Sequence, residues 1–154
     1  MKDSKDWLAA VERQAGDQLD GETFVTAYPL ATRGYIRRSA RAAAGLISAK
    51  GTRNAINGES LPNTMVFGLT TTRLFVFELV TKTAKAGEIK AIVPLEVITA
   101  VTSMKFKSYF VPRLNVDISL YDNDQLLLEA GWPGLDKAER FVDTLTSATA
   151  NRNF

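Results

Sequence analysis

TMVFGLTTTRLFVFELV, residues 64–80, decides how this chain is read. Two runs of apolar, β-branched and aromatic residues, 64–70 and 73–80, flank the pair Thr71-Thr72, which is too short for anything but a tight turn. A hairpin here predicts antiparallel pairing, and the text downstream repeats the grammar. EIKAIVPL (88–95), VITAVTSMKFKSY (97–109), RLNVDISLY (113–121) and QLLLEAG (125–131) read as four more strands. Their separators are short, and the segment between 80 and 131 holds no helical period, so meanders are expected and βαβ units are not. Asp122-Asn123-Asp124 has the alternating acids of a calcium loop without its glycine or distal glutamate, and is read as a hairpin turn.

Upstream, TFVTAYPL (23–30) reads as a first strand that Pro29 closes or places at an edge. Before it, Trp7, Leu8, Val11 and Ala15 make an apolar stripe at helical spacing, ended by Gly16 and the turn residues to Gly21. At the other end Trp132-Pro133-Gly134 breaks the last strand. Ala138, Phe141, Val142 and Leu145 then recur at i, i+3, i+4, i+7, and Asp136 with Glu139 resembles a capping box. The fold class expected is mainly β (α+β): seven antiparallel strands and a C-terminal capping helix. The domain division expected is an appended amphipathic helix over 1–18 and one domain over 19–150.

Composition bounds the chemistry. The 154 residues include no cysteine and no histidine, which removes disulfides, thiolate chemistry, and the commonest general base and metal ligand. No nucleophile–base set, GxGxxG or P-loop is spelled out, so no enzyme, metal or cofactor is expected. The N-terminus carries acids and no long apolar core, so a secretory signal is not expected and the cytoplasm is the default compartment.

The net charge of +2 hides an asymmetry. Between Thr23 and Gly58 there is no acid, while Arg33, Arg37, Arg38, Arg41, Lys50 and Arg53 supply six positive charges. The rest of the chain holds 13 basic and 17 acidic residues. RGYIRRSARAAAGLISAK (33–50) is expected to form a helix inserted between the first two strands, within a basic insertion spanning 31–57. At about 100° per residue Arg33, Arg37, Arg38 and Arg41 share an arc of about 140°. Tyr35, Ile36, Leu46 and Ile47 fall on the opposite side. Such a helix suits an anionic leaflet or an acidic groove, each cation near a membrane contributing roughly 1 kcal/mol. It equally suits a surface helix whose apolar face packs on its own sheet, leaving the arginines solvated. Lys82 and Lys85 in the TKTAKAG loop could join the arginines in one basic rim. Lys105 and Lys107 lie on one strand face with Phe106 pointing the other way.

The order of these pieces resembles the pleckstrin homology (PH) superfold, and more specifically the bacterial PH-like and GRAM-like domains of short cytoplasmic proteins of an actinobacterial kind. The resemblance is carried by LDGE (Leu19 to Glu22) before the first strand, LTTTRLFVFE (Leu69 to Glu78), IVPLEVITAV (Ile92 to Val101) and LYDNDQLLLEA (Leu120 to Ala130) before a closing helix. It implies a β-sandwich or partly open barrel and a non-catalytic binding or scaffolding module. The closing helix has Phe141 where eukaryotic PH domains usually have a tryptophan. Arg37-Arg38 are adjacent and lack the basic-x-Arg spacing of phosphoinositide binders, so inositol-lipid recognition is not implied. The expected partner is anionic lipid or an acidic protein surface, met by Arg33, Arg37, Arg38, Arg41, Lys50, Arg53, Lys82 and Lys85, with the inner face of the membrane as a peripheral location. The alternative is self-association through Tyr35, Ile36, Leu46 and Ile47. Nucleic acid ranks third, because Tyr35 is the only aromatic among the arginines.

Overall fold

The structure, a computed structural model, describes residues 4–35, 54–108, 110–131 and 134–150. The helix expected over most of 33–50 therefore lies outside the described residues, together with Ile36, Arg37, Arg38, Arg41, Leu46, Ile47, Lys50 and Arg53. The elements run α1 (Ser4–Ala15), β1 (Thr26–Thr32), β2 (Ala55–Ile56), β3 (Glu59–Ser60), β4 (Thr64–Leu69), β5 (Arg73–Val80), β6 (Lys85–Pro94), β7 (Ile98–Ser108), β8 (Val111–Leu120), β9 (Gln125–Gly131) and α2 (Leu135–Ala150). The protein is mainly β. Seven strands form one antiparallel sheet in the order β6-β5-β4-β1-β9-β8-β7, with β1 joining two three-stranded meanders.

That sheet cannot be flat. β6 and β7 stand at its two edges, six strand spacings or about 29 Å apart if laid out in a plane. Yet β6 ends at Pro94 and β7 begins at Ile98, a span of chain that reaches at most about 14 Å. The sheet therefore curls, and one core cluster draws buried residues from all seven strands, among them Leu30, Phe67, Leu74, Val93, Ile98, Ile118 and Leu128. α2 closes this core with the expected stripe: Ala138, Phe141, Val142 and Leu145 are all buried, and the Phe141 ring lies 6.4 Å from that of Phe67. Each large side chain so buried contributes roughly 1.5–3 kcal/mol.

The helix begins two residues earlier than the capping-box reading implies. The Gly134 carbonyl accepts from the Lys137 and Ala138 N–H groups and from the Tyr28 hydroxyl at 2.9 Å, so Asp136 falls inside the first turn. Gly134 takes φ +105°, a conformation that only glycine adopts without strain. Burial pushes the Tyr28 hydroxyl pKa above its ordinary value, which keeps it a donor.

α1 covers the outer face of the first meander. Trp7, Val11 and Ala15 bury against Phe24, Ala27, Val66, Phe75, Phe77 and Ala86 in a second core cluster. Phe24 meets Phe75 edge-on at 5.1 Å and overlies Gly68, where a Cβ would come within 2.6 Å of its ring.

Two sequence fragments quoted for the resemblance interlock here. The Glu22 carboxylate accepts from the hydroxyls of Thr70 (3.2 Å) and Thr72 and from Arg73 Nε at 2.7 Å, and Arg73 Nη2 donates to the Leu19 carbonyl at 2.8 Å. Arg73 also stacks over the Phe75 ring, 4.8 Å from its centroid. Burial raises the Glu22 pKa, but the hydrogen bonds from Thr72 and Arg73, the Arg73 charge and the bond from Thr70 outweigh it. The net position is below the ordinary 4.5.

One local reading changes. β1 runs on through Pro29 to Thr32, two residues past the expected end. The N–H of Thr32 bonds Asn63 on the β4 side and that of Arg33 bonds Leu127 on the β9 side. Alternation therefore turns the Pro29 nitrogen toward β9. Pairing with β9 is confined to Ala31 and Thr32, so the missing donor falls where the two strands part. Asn57-Gly58 forms the turn of the β2–β3 hairpin, with φ of +53° and +83° as a type I′ turn requires.

Candidate functional site

The acid-free segment leaves the sheet and rejoins it at one place. Arg33 and Gly34 follow β1, and Asn54 precedes β2. Strand alternation puts Asp117 on the face of β8 opposite the core-facing Val116 and Ile118, and Glu129 likewise on β9 between Leu128 and Ala130. Those two acids receive the departing chain. The Arg33 guanidinium donates to Asp117 Oδ1 and, at 3.3 Å, to the Val116 carbonyl, and the Gly34 N–H donates to Glu129 Oε1 at 2.9 Å.

Asn54 receives the returning chain. Its buried amide behaves like a strand partner for Leu127: Nδ2 donates to the Leu127 carbonyl at 2.9 Å and Oδ1 accepts the Leu127 N–H at 2.8 Å. A third bond runs from Nδ2 to Thr32 Oγ1 at 3.2 Å. Both ends of the insertion are thus tied to residues 127–129 of β9, which fixes its root whatever the length between.

Where β1 and β9 part beyond Ala31, a cleft of about 290 Å³ opens, lined by Tyr28 to Ala31, Tyr35, Thr64, Leu79 and Glu129 to Gly131. Its walls are chiefly apolar, suited to an aliphatic or aromatic group. Among the described residues no cluster of acids could hold a metal ion.

The sequence-derived candidates distribute as follows. Arg33 is half-buried and held by Asp117, so its charge is partly neutralised at the root and is not presented outward. Tyr35 is half-buried and lines the cleft of its own chain. Lys82 and Lys85 are exposed around the β5–β6 turn. That turn lies at the same end of the first meander as the root, because Ala31 pairs with Thr64 and the Thr64 hydroxyl donates to Leu79 near the end of β5. Lys105 is paired with Glu139 of α2 at 3.2 Å. Asp117, Glu129 and Asn54 were not singled out from the sequence. The outward phase of Asp117 within RLNVDISLY was a usable signal; the return of Asn54 to β9 had none.

No protein-family model matches the chain, and no curated protein matches it. Among the described residues no helix is long and apolar enough to cross a membrane.

Proposed function

We propose that this chain is a non-catalytic PH-like module that binds an anionic surface, a membrane leaflet or an acidic protein, through its basic insertion. The PH-like reading is supported by the strand order, two meanders joined through the first strand and closed by a C-terminal helix across the core.

The observation that carries the function is the root. It anchors an acid-free, arginine-rich segment at both ends on β9, beside the turn that bears Lys82 and Lys85. Since Arg33 serves the root, the binding charges are Arg37, Arg38, Arg41, Lys50 and Arg53, joined by Lys82 and Lys85. Four or five of these seven cations near an anionic leaflet contribute roughly 4–5 kcal/mol before ordering costs, enough for reversible association. Self-association through Tyr35, Ile36, Leu46 and Ile47 draws less support, because Tyr35 already lines the cleft of its own chain.

Co-sedimentation with anionic and neutral liposomes tests the reading. The wild type should bind anionic vesicles and lose binding as salt rises, and an Arg37/Arg38/Arg41→Glu variant should not bind. An acidic protein partner predicts no vesicle binding by either. Binding indifferent to lipid charge and salt would remove the proposal, and a concentration-dependent oligomer in light scattering would favour self-association.

A further inference from the structure

We propose that the tip of the β7–β8 hairpin is a second, separate contact element, a wedge that enters an anionic membrane surface. Its placement is the first reason. β9 pairs with β8 as far as Gly131, opposite Arg113, and among the described residues the rungs Lys107 with Pro112 and Ser108 with Val111 pair only with each other. The hairpin therefore runs two rungs, about 7 Å, past the end of β9. Interfacial segments sit about 5–10 Å into the headgroup boundary.

The composition of the tip is the second reason. Phe110 is 95% exposed, and Met104, Phe106 and Val111 are 63%, 36% and 40% exposed. Phe110 also takes φ +67°, a left-handed conformation in which a bulky residue is an outlier and for which turns normally use glycine or asparagine. Neither folding nor turn formation accounts for an aromatic ring held there in water.

Charge selects the occupant. From Val97 to Val116 there is no acid, while Lys105, Lys107 and Arg113 flank the aromatic tip. Among the described residues, the acid paired with them across the fold is Glu139, on Lys105. An aromatic tip under a collar of cations matches an apolar layer beneath anionic headgroups. A second copy of the chain adding to the β7 edge is disfavoured, because Lys105 and Lys107 stand on that edge strand and repel their like. The tip lies beyond the end of β9 away from Leu127, where the insertion is rooted, so the wedge does not depend on the arginine-rich segment.

The chain has no cysteine, so a single one can report on the tip. Phe110→Cys carrying an environment-sensitive fluorophore would be mixed with vesicles of equal parts phosphatidylcholine and phosphatidylglycerol, and with phosphatidylcholine alone. Ser147→Cys, exposed on α2, serves as control. The label at 110 should shift to the blue and brighten several-fold on the anionic vesicles only, and the label at 147 should not. In unlabelled protein Phe110→Asp should weaken sedimentation about tenfold. An unchanged label at 110 on protein that sediments with the same vesicles would overturn the wedge and leave the basic-insertion reading standing. Loss of binding in Phe110→Asp with retention in Arg37/Arg38/Arg41→Glu would support the wedge and overturn that reading. A blue shift at 110 that grows with protein concentration without vesicles would mean a second copy occupies the tip, and overturns the wedge.

Discussion

Removing the Glu22 carboxylate should destabilise the fold by about 2–3 kcal/mol, and the size follows from what it holds. Glu22 accepts from Thr70, Thr72 and Arg73, and Arg73 in turn reaches the Leu19 carbonyl and covers Phe75. A hydrogen bond to a charged group contributes a net ~1.5–3 kcal/mol. The Arg73 and Glu22 side chains remain 23% and 21% exposed, so water recovers part of each bond and the three do not add. For Glu22→Ala in a chain of this size the loss corresponds to a fall in Tm of about 5–10 °C.

The pH dependence gives an independent check. The folded pKa of Glu22 is lowered, so its stabilisation is present above the ordinary 4.5 and is lost as pH falls through the lower folded value. Urea titrations of wild type and Glu22→Gln should therefore differ by a constant amount near neutrality. The gap should close as pH drops below about 4.5. A cost under about 0.5 kcal/mol for Glu22→Ala, or a Glu22→Gln gap that does not shrink in acid, would refute the assignment of Glu22 as the clasp on this hairpin.

Two further substitutions probe the packing and the root. Gly68→Ala places a Cβ 2.6 Å from the Phe24 ring and should cost about 1–3 kcal/mol in chemical denaturation, with most of the loss recovered in a Gly68→Ala/Phe24→Leu double variant. Asn54→Leu leaves the Leu127 N–H and carbonyl without their side-chain partner and should cost about 2–4 kcal/mol. Hydrogen exchange should show the Leu127 amide losing protection ahead of the Phe67 amide in the strand core.

The hairpins were legible because their signals are local. Thr71-Thr72 between two apolar, β-branched and aromatic runs specifies a turn, and the stripe Ala138, Phe141, Val142, Leu145 specifies a buried helix face, whatever surrounds them. Pro29 was legible only as a missing donor. Whether that donor matters depends on where β9 runs, and the answer lies about 100 residues away at Gly131. The candidate site shows the same division. The acid-free run of cations is a property of the sequence, whereas the neutralisation of Arg33 requires Asp117 to arrive from β8.

Composition and periodicity by themselves determined that this is a mainly β protein with a helix at each end, one basic segment, and neither cysteine nor histidine chemistry. Hydrophobic period and turn chemistry act over a few residues, so they are written wherever the chain is read. The curl of the sheet, the clasp of Glu22 on Arg73, the tethering of the insertion to β9 and the projection of Phe110 beyond it were decided by tertiary structure alone. Each depends on which strands become neighbours, and that choice is made by the whole core at once.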